Sequence, residues 1–331
     1  LVNRVVNVNR IIIIGNKITR SRIISRELSL SPGDTISTNR IKAVLEKDQQ
    51  KIYNLRLFNT VTVRWLELTS NQIDLLVEVS ERWYTFPVPI FELSDRNFNE
   101  WVQNYGADFK RINYGLRLYQ YNFRGRNETL RFTAQFGFTR RFELSYRIPY
   151  IDRQQKHGLI IDFSYAEPKN LAYFTDDHKL TFEEGRKTLR TTYGAGITYT
   201  FRKNFYETHS FSVGYVDNQI ADTIAYLNPN YYGEGSVTQR YGGITYSWVS
   251  EHRDVVAYPL HGYQITALLH KAGFGFESNV NQWEMNLTYA KYFDLKKNWY
   301  FSNFSSVYLS TPANQPYTLY SALGYRRQLV K

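Results

Sequence analysis

Residues 130–139 read Leu-Arg-Phe-Thr-Ala-Gln-Phe-Gly-Phe-Thr. Leu130, Phe132, Ala134, Phe136 and Phe138 take every second place, with Arg131, Thr133, Gln135, Gly137 and Thr139 between them. A period of two sends these sets to opposite faces of a strand, one apolar and one wet. The same grammar recurs in Phe142, Leu144, Tyr146 and Ile148, in Leu159, Ile161, Phe163 and Tyr165, in Tyr193, Ala195, Ile197, Tyr199 and Phe201, and in Tyr263, Ile265, Ala267 and Leu269. Each run is long enough to cross a membrane as a tilted strand of about 9 to 11 residues. The pattern begins near Trp83 and continues to about Ser310, which predicts about eleven antiparallel strands of a transmembrane β-barrel.

Composition agrees. The 331-residue chain is 17% aromatic, yet its mean hydropathy is -0.47. A barrel that turns rings to lipid and polar groups to its lumen reproduces both values. No apolar run approaches the roughly 18 residues of a membrane-spanning helix; the longest is Ile11–Ile14. The first residues lack a basic-then-apolar pattern, so any export signal is expected to lie outside this sequence. The absence of cysteine excludes disulfides and thiolate metal sites. The net charge of +11 comes from scattered residues such as Arg117, Arg131, Arg141 and Arg147 and not from a compact block, which argues against nucleic acid. A basic lumen, or contact with anionic lipid head groups, is the expected use of that charge.

Residues 1–82 follow a different grammar. Val6, Val8, Ile12 and Ile14 form a strand that stops at Gly15-Asn16. Thr19 or Ser21 is expected to cap a helix holding Ile23, Ile24 and Leu28, and Ser37 or Thr38 a second holding Ile41, Val44, Leu45, Ile52 and Leu55. Strands follow over Leu57–Leu68 and Ile73–Val79. The expected order is β-α-α-β-β, an α+β domain.

That order resembles a POTRA domain. The matching pieces are Ile14-Gly15-Asn16 with Thr19, Arg26-Glu27-Leu28, Pro32-Gly33-Asp34, Leu57-Phe58-Asn59-Thr60-Val61, and Val77-Glu78-Val79-Ser80-Glu81-Arg82. The asset of such a domain is a sheet edge able to accept an extended peptide. The strand carrying Phe58, Val61 and Val63 is assigned as that edge. Short polar connections at Asn122–Asn127, Ile151–His157, Arg202–Thr208 and Asp294–Asn298 alternate with long ones at Glu167–Lys187 and Val216–Gly235. Short turns are periplasmic in outer-membrane barrels and long loops external, which places the N-terminal domain in the periplasm.

The whole layout, residues 1–82 followed by a barrel over 83–331, resembles the outer-membrane assembly and translocation superfamily of BamA, TamA and the two-partner secretion transporters. The resemblance implies a barrel of sixteen strands, of which about eleven are present, and a sixth external loop whose motif begins at Val330-Lys331, with Lys in place of the usual Arg. Lys331 is therefore expected not to be the natural end, since single-chain bacterial barrels close with an even strand count. Tyr258-Pro259-Leu260-His261-Gly262 fits the Pro-x-x-Gly start of a middle strand, and Leu93–Trp101 with Tyr121–Asn127 looks like the barrel opening of Bacteroidetes-type members with one POTRA domain.

The first barrel strand, expected over Trp83–Leu93, contains Phe86, Pro87, Val88, Pro89, Ile90 and Phe91. Proline cannot donate to a ladder, so this strand pairs poorly on one side. In the superfamily the first and last strands meet at a weak seam. The resemblance thus implies capture of unfolded outer-membrane or secreted polypeptides by the POTRA domain and their transfer at the seam, with membrane lipids and periplasmic or lipoprotein subunits as further partners. A channel or receptor with a periplasmic docking domain is the alternative. No cofactor or metal is expected, and no hydrolase or phosphate-loop signature appears. Asp176-Asp177-His178 is assigned to a solvated loop.

Overall fold

The computed structural model describes residues 4–94, 98–152, 154–177, 179–185, 187–274 and 280–320. Alternation in the first strand, β1 (Val5–Ile14), buries Val6 and Val8 on one face, and helix α1 (Ser21–Ser25) covers them with Ile23 and Ile24. The three-residue strand β2 (Thr35–Ser37), helix α2 (Thr38–Asn54), β3 (Phe58–Thr69) and β4 (Gln72–Glu81) complete the domain. Its sheet runs β2-β1-β4-β3, with β1 and β4 parallel and the remaining pairs antiparallel.

This corrects the expected β-α-α-β-β order by one strand. β2 is too short to show a period, and tertiary pairing of Ile36 with Val6 forms it. The first helix also ends sooner than expected: Leu28 is buried in the core but lies beyond it. Its N-cap is Arg20, not Thr19 or Ser21, because the Thr19 hydroxyl is engaged elsewhere. Ser37 does precede α2, without a side-chain capping bond.

The second sheet contains eleven strands and runs in sequence order apart from one inserted hairpin. Its strands are β5 (Thr85–Leu93), β6 (Ile112–Phe123), β7 (Glu128–Gly137), β8 (Arg140–Ile148) and β9 (His157–Glu167). After the hairpin of β10 (Asn170–Asp176) and β11 (Lys179–Glu184) come β12 (Arg190–Arg202), β13 (Glu207–Ile220), β14 (Thr238–Glu251), β15 (Gly262–Ala272), β16 (Gln282–Asp294) and β17 (Tyr300–Thr311). The first barrel strand is two residues shorter than expected at its start. All neighbouring pairs are antiparallel, and β5 and β17 are the outermost strands. The face bearing Phe132, Phe163, Ile197 and Val213 is exposed, Phe163 to 53%, whereas Thr133 on the other face is 0% exposed. The apolar side therefore looks outward.

The two long connections are not the open loops expected from the sequence. One holds the β10–β11 hairpin, with Asp176 and Asp177 at its tip, and the other holds the short helix α4 (Asp222–Leu227); a further helix, α3 (Phe98–Tyr105), lies in the connection between β5 and β6. An apolar cluster of Leu171, Leu189, Ile220, Ile224, Tyr231 and Tyr232 orders them, with Tyr317 packed against it. His178 lies outside the described residues. Among the described residues no helix is long and apolar enough to cross a membrane.

Candidate functional site

Register decides what the prolines of β5 do. Tyr121 N donates to Tyr84 O and Ser94 N to Arg111 O, so even-numbered backbone groups face β6. Pairing is unbroken from Thr85↔Gln120 to Leu93↔Ile112. Phe86, Val88, Ile90 and Glu92 therefore turn their N–H groups to β6, while Thr85, Pro87, Pro89, Phe91 and Leu93 turn theirs to the open edge. Both prolines remove donors from the edge and none from the β5–β6 ladder. Side chains alternate as well: Val88 pairs with luminal Arg117, and Phe91, 74% exposed, shares the outer face with Tyr114.

In the N-terminal domain, β3 is an outer strand, but Phe58, Val61 and Val63 are buried in the core. Only the backbone of this stretch is presented at the edge, and the Val63 N–H is already bonded by the Gln49 side chain at 3.3 Å. The further half of β3 instead exposes Trp65, Leu66 and Leu68. Three apolar residues breaking alternation were the signal for this patch, which the sequence reading passed over. Val330 and Lys331 lie outside the described residues.

The domain is fastened beneath the short-turn end of the large sheet. Glu27, 1% exposed, accepts from Arg202 at 2.9 Å. Lys51 lies over the Phe205 ring at 4.0 Å and Arg26 over Tyr150 at 4.5 Å. Asn54 Nδ2 donates to Asp254 O at 3.1 Å, and Arg20 N to Gly125 O at 2.9 Å. A buried trio completes the junction: Asn122 Nδ2 donates to Thr19 Oγ1 at 2.8 Å, Thr19 lies 3.2 Å from the Tyr84 hydroxyl, and Tyr84 donates to Leu57 O at 2.9 Å. Between the domain and the sheet lies a cavity of about 840 Å³.

Burial holds the Tyr84 phenol above its usual range, opposed by hydrogen bonds from Thr19 and Asn122 and reinforced by the charge of Glu81. A raised pKa favours the neutral phenol in the docked state. Docking is thus expected to be at full strength below about pH 10, the unperturbed tyrosine value, and to weaken as pH rises through the docked-state pKa. Proteolytic sensitivity between residues 82 and 85, followed against pH, checks this; a Tyr84→Phe variant showing the same alkaline step would overturn it.

The family follows from this two-part architecture together with the sequence matches. The POTRA family, described as surface antigen variable number repeat, matches residues 6–82, and the Omp85 superfamily domain matches residues 122–319. The chain belongs to the Omp85 superfamily. An Omp85 barrel with a POTRA domain sits in the outer membrane of a Gram-negative bacterium, with that domain in the periplasm. The outer membrane protein assembly factor BamA of Buchnera aphidicola is 23% identical over 237 residues, covering 71% of this chain and 34% of the relative. The chain thus spans about a third of that protein. BamA from Haemophilus ducreyi lacking POTRA domains 1–3 shares the fold at a TM-score of 0.52 and 16% identity, over 97% of this chain and 59% of that one. CdiB from Escherichia coli aligns at a TM-score of 0.48 and 9% identity, over 92% and 54% of the two chains.

Proposed function

We propose that this Omp85 protein inserts outer-membrane proteins or moves polypeptides across the outer membrane, taking clients at the β3 edge and releasing them at the open edge of β5. The observation that carries the reading is the direction of Pro87 and Pro89. A strand whose missing donors all face one side holds its place in the barrel while pairing weakly with whatever lies on that side. A weak partner there lowers the cost of parting the wall, and the donors that remain can template an incoming strand. Supporting it, the Val61 end of β3 stands beside Asp254 and Val255 at the barrel mouth, and the further half of the strand exposes Trp65, Leu66 and Leu68 to an amphipathic client. Lipoprotein or periplasmic subunits would dock on the same domain. No nucleotide or cofactor enters this reading.

Restoring the two donors tests it. A Pro87→Val/Pro89→Val variant of the full-length protein is expected to fold and to reach the membrane, but to lower the amounts of other outer-membrane barrels or of a secreted polypeptide at least severalfold. The reading fails if the variant supports wild-type levels of both after depletion of the native protein. Altered solute conductance with unchanged protein assembly would instead favour a channel.

A further inference from the structure

The arginines scattered in the sequence form a line on the luminal face. Arg117 on β6 stands opposite Thr133, and Tyr119, the next inward residue toward the periplasm, stands opposite Arg131 on β7. Arg131 stands opposite Ser145 on β8, and one inward step further down lies Arg147, opposite Thr129. The step after that falls on Gly158 of β9, because Arg147 faces Ile160. Gly158 faces Thr200 of β12, and the next inward residue is Arg202. Each strand thus carries its member one inward position nearer its periplasmic end, with a glycine at the single gap. The upper end adjoins Val88, between the two prolines of β5. The lower end, at Arg147 and Arg202, opens into the cavity between the sheet and the POTRA domain.

That cavity is basic. Lys47, Arg56, Arg147 and Lys156 line it and make no ion pair among the described residues, whereas Arg202 and Arg253 are matched by Glu27 and Glu251. Arg117 and Arg131 likewise make no ion pair among the described residues. Unmatched cationic groups along the luminal face and in this cavity attract carboxylates, and the guanidinium fork binds them bidentately.

We propose that this line binds an acidic, extended polypeptide segment, with Asp or Glu at alternate positions, on its way from the POTRA cavity to the edge of β5. Diagonal neighbours on adjacent strands stand about 7–8 Å apart, close to the roughly 6.8 Å between alternate residues of an extended chain. Three successive carboxylates of such a segment would meet Arg117, Arg131 and Arg147 in turn. The surrounding luminal positions Thr129, Ser145, Thr198, Thr200 and Ser212 offer hydroxyls, Asp162 stands opposite Ser145, and Ile160 opposite Arg147 is a single apolar residue, too little to make a trough for acyl tails. A lipid is therefore the poorer fit. The inference rests on the polypeptide-handling function proposed above and names the segment it would recognise.

The test uses the full-length protein in detergent, with folding verified by its heat-modifiable electrophoretic mobility. The probe is a fluorescein-labelled peptide of six Thr-Glu repeats, and anisotropy gives its affinity. An Arg117→Gln/Arg131→Gln/Arg147→Gln variant is expected to bind about tenfold more weakly and with a shallower salt dependence. Arg140→Gln, on the outer face in an ion pair with Glu167, should bind as wild type. A six-repeat Thr-Lys peptide should not bind. Equal affinity in the triple variant and the wild type overturns the proposal. So does tighter, arginine-dependent binding to phosphatidylglycerol vesicles, which would make the ligand a lipid. Peptide binding by a protein whose depletion leaves other barrels at normal levels would sink the assembly reading alone; lost barrels without peptide binding would sink only this one.

Discussion

A Glu27→Ala variant is expected to free the POTRA domain from the barrel mouth, weakening the junction by about 3 kcal/mol. The carboxylate is 1% exposed and its partner, the Arg202 side chain, 24%, so truncation leaves a largely buried guanidinium without a counter-charge. The one-quarter exposure of Arg202 lets water relieve part of that penalty, which is why the low end of the usual 3–5 kcal/mol range applies. Other ties remain, among them Lys51 over Phe205, Arg26 over Tyr150, the Asn54–Asp254 and Arg20–Gly125 bonds and the Thr19–Asn122–Tyr84 trio. Hydrogen exchange across residues 149–156 and 202–206 reads the effect, and faster exchange there with an unchanged POTRA core is the expected result. Protection equal to wild type would show that the ion pair contributes nothing to docking. Glu27→Gln, which keeps the acceptor and loses the charge, should have a smaller effect.

Gly15→Ala should have an effect of similar size in a different place. Gly15 has φ of +90, and a Cβ there would stand 1.9 Å from the Val79 carbonyl oxygen. A side chain must therefore push β1 from β4 at the point where the chain leaves the sheet, while holding a backbone conformation that L-residues avoid. A loss of about 2 to 4 kcal/mol is expected, from strain and from the broken approach of the two strands. The following residue adds to the cost, since Asn16 Nδ2 donates to Thr19 O at 2.9 Å and would be misplaced. Thermal or denaturant unfolding of the full chain, followed through the POTRA domain, would measure it. A midpoint unchanged from wild type would contradict the clash.

The barrel was legible because its signal is local. Leu130 to Thr139 alternates without help from any distant residue, and strands of this kind appear where the period places them. The ends of the connections were not legible: Ile224 and Tyr231 look like loop residues until Leu171 and Leu189, far off in sequence, give them something to bury against. The prolines of β5 announced an edge, but their direction required knowing that Tyr84 and Ser94 bond β6. Phe58, Val61 and Val63 lie on an outer strand with their side chains in the core, since alternation cannot say which face meets a helix. Glu27 and Arg202 are 175 residues apart, and neither carries a local pattern. Arg117, Arg131 and Arg147 became a line only through register, which no single strand encodes.

The two ends of the molecule are closed by different physics. At the outer end Tyr231, Tyr232 and Tyr317 share an apolar cluster, and Asn228 Nδ2 donates to the Tyr173 carbonyl at 2.6 Å, so the loops hold one another. At the inner end the closure is an ion pair, cation–ring contacts and a few hydrogen bonds. Salt screens the exposed members of the second kind of contact and barely touches the first, while the buried Glu27–Arg202 pair is largely sheltered from it. A barrel fastened this way differs in its materials from end to end: the outer loops share an apolar cluster besides ion pairs such as Arg111–Glu184, whereas the inner junction has polar and cation–ring contacts in place of such a cluster.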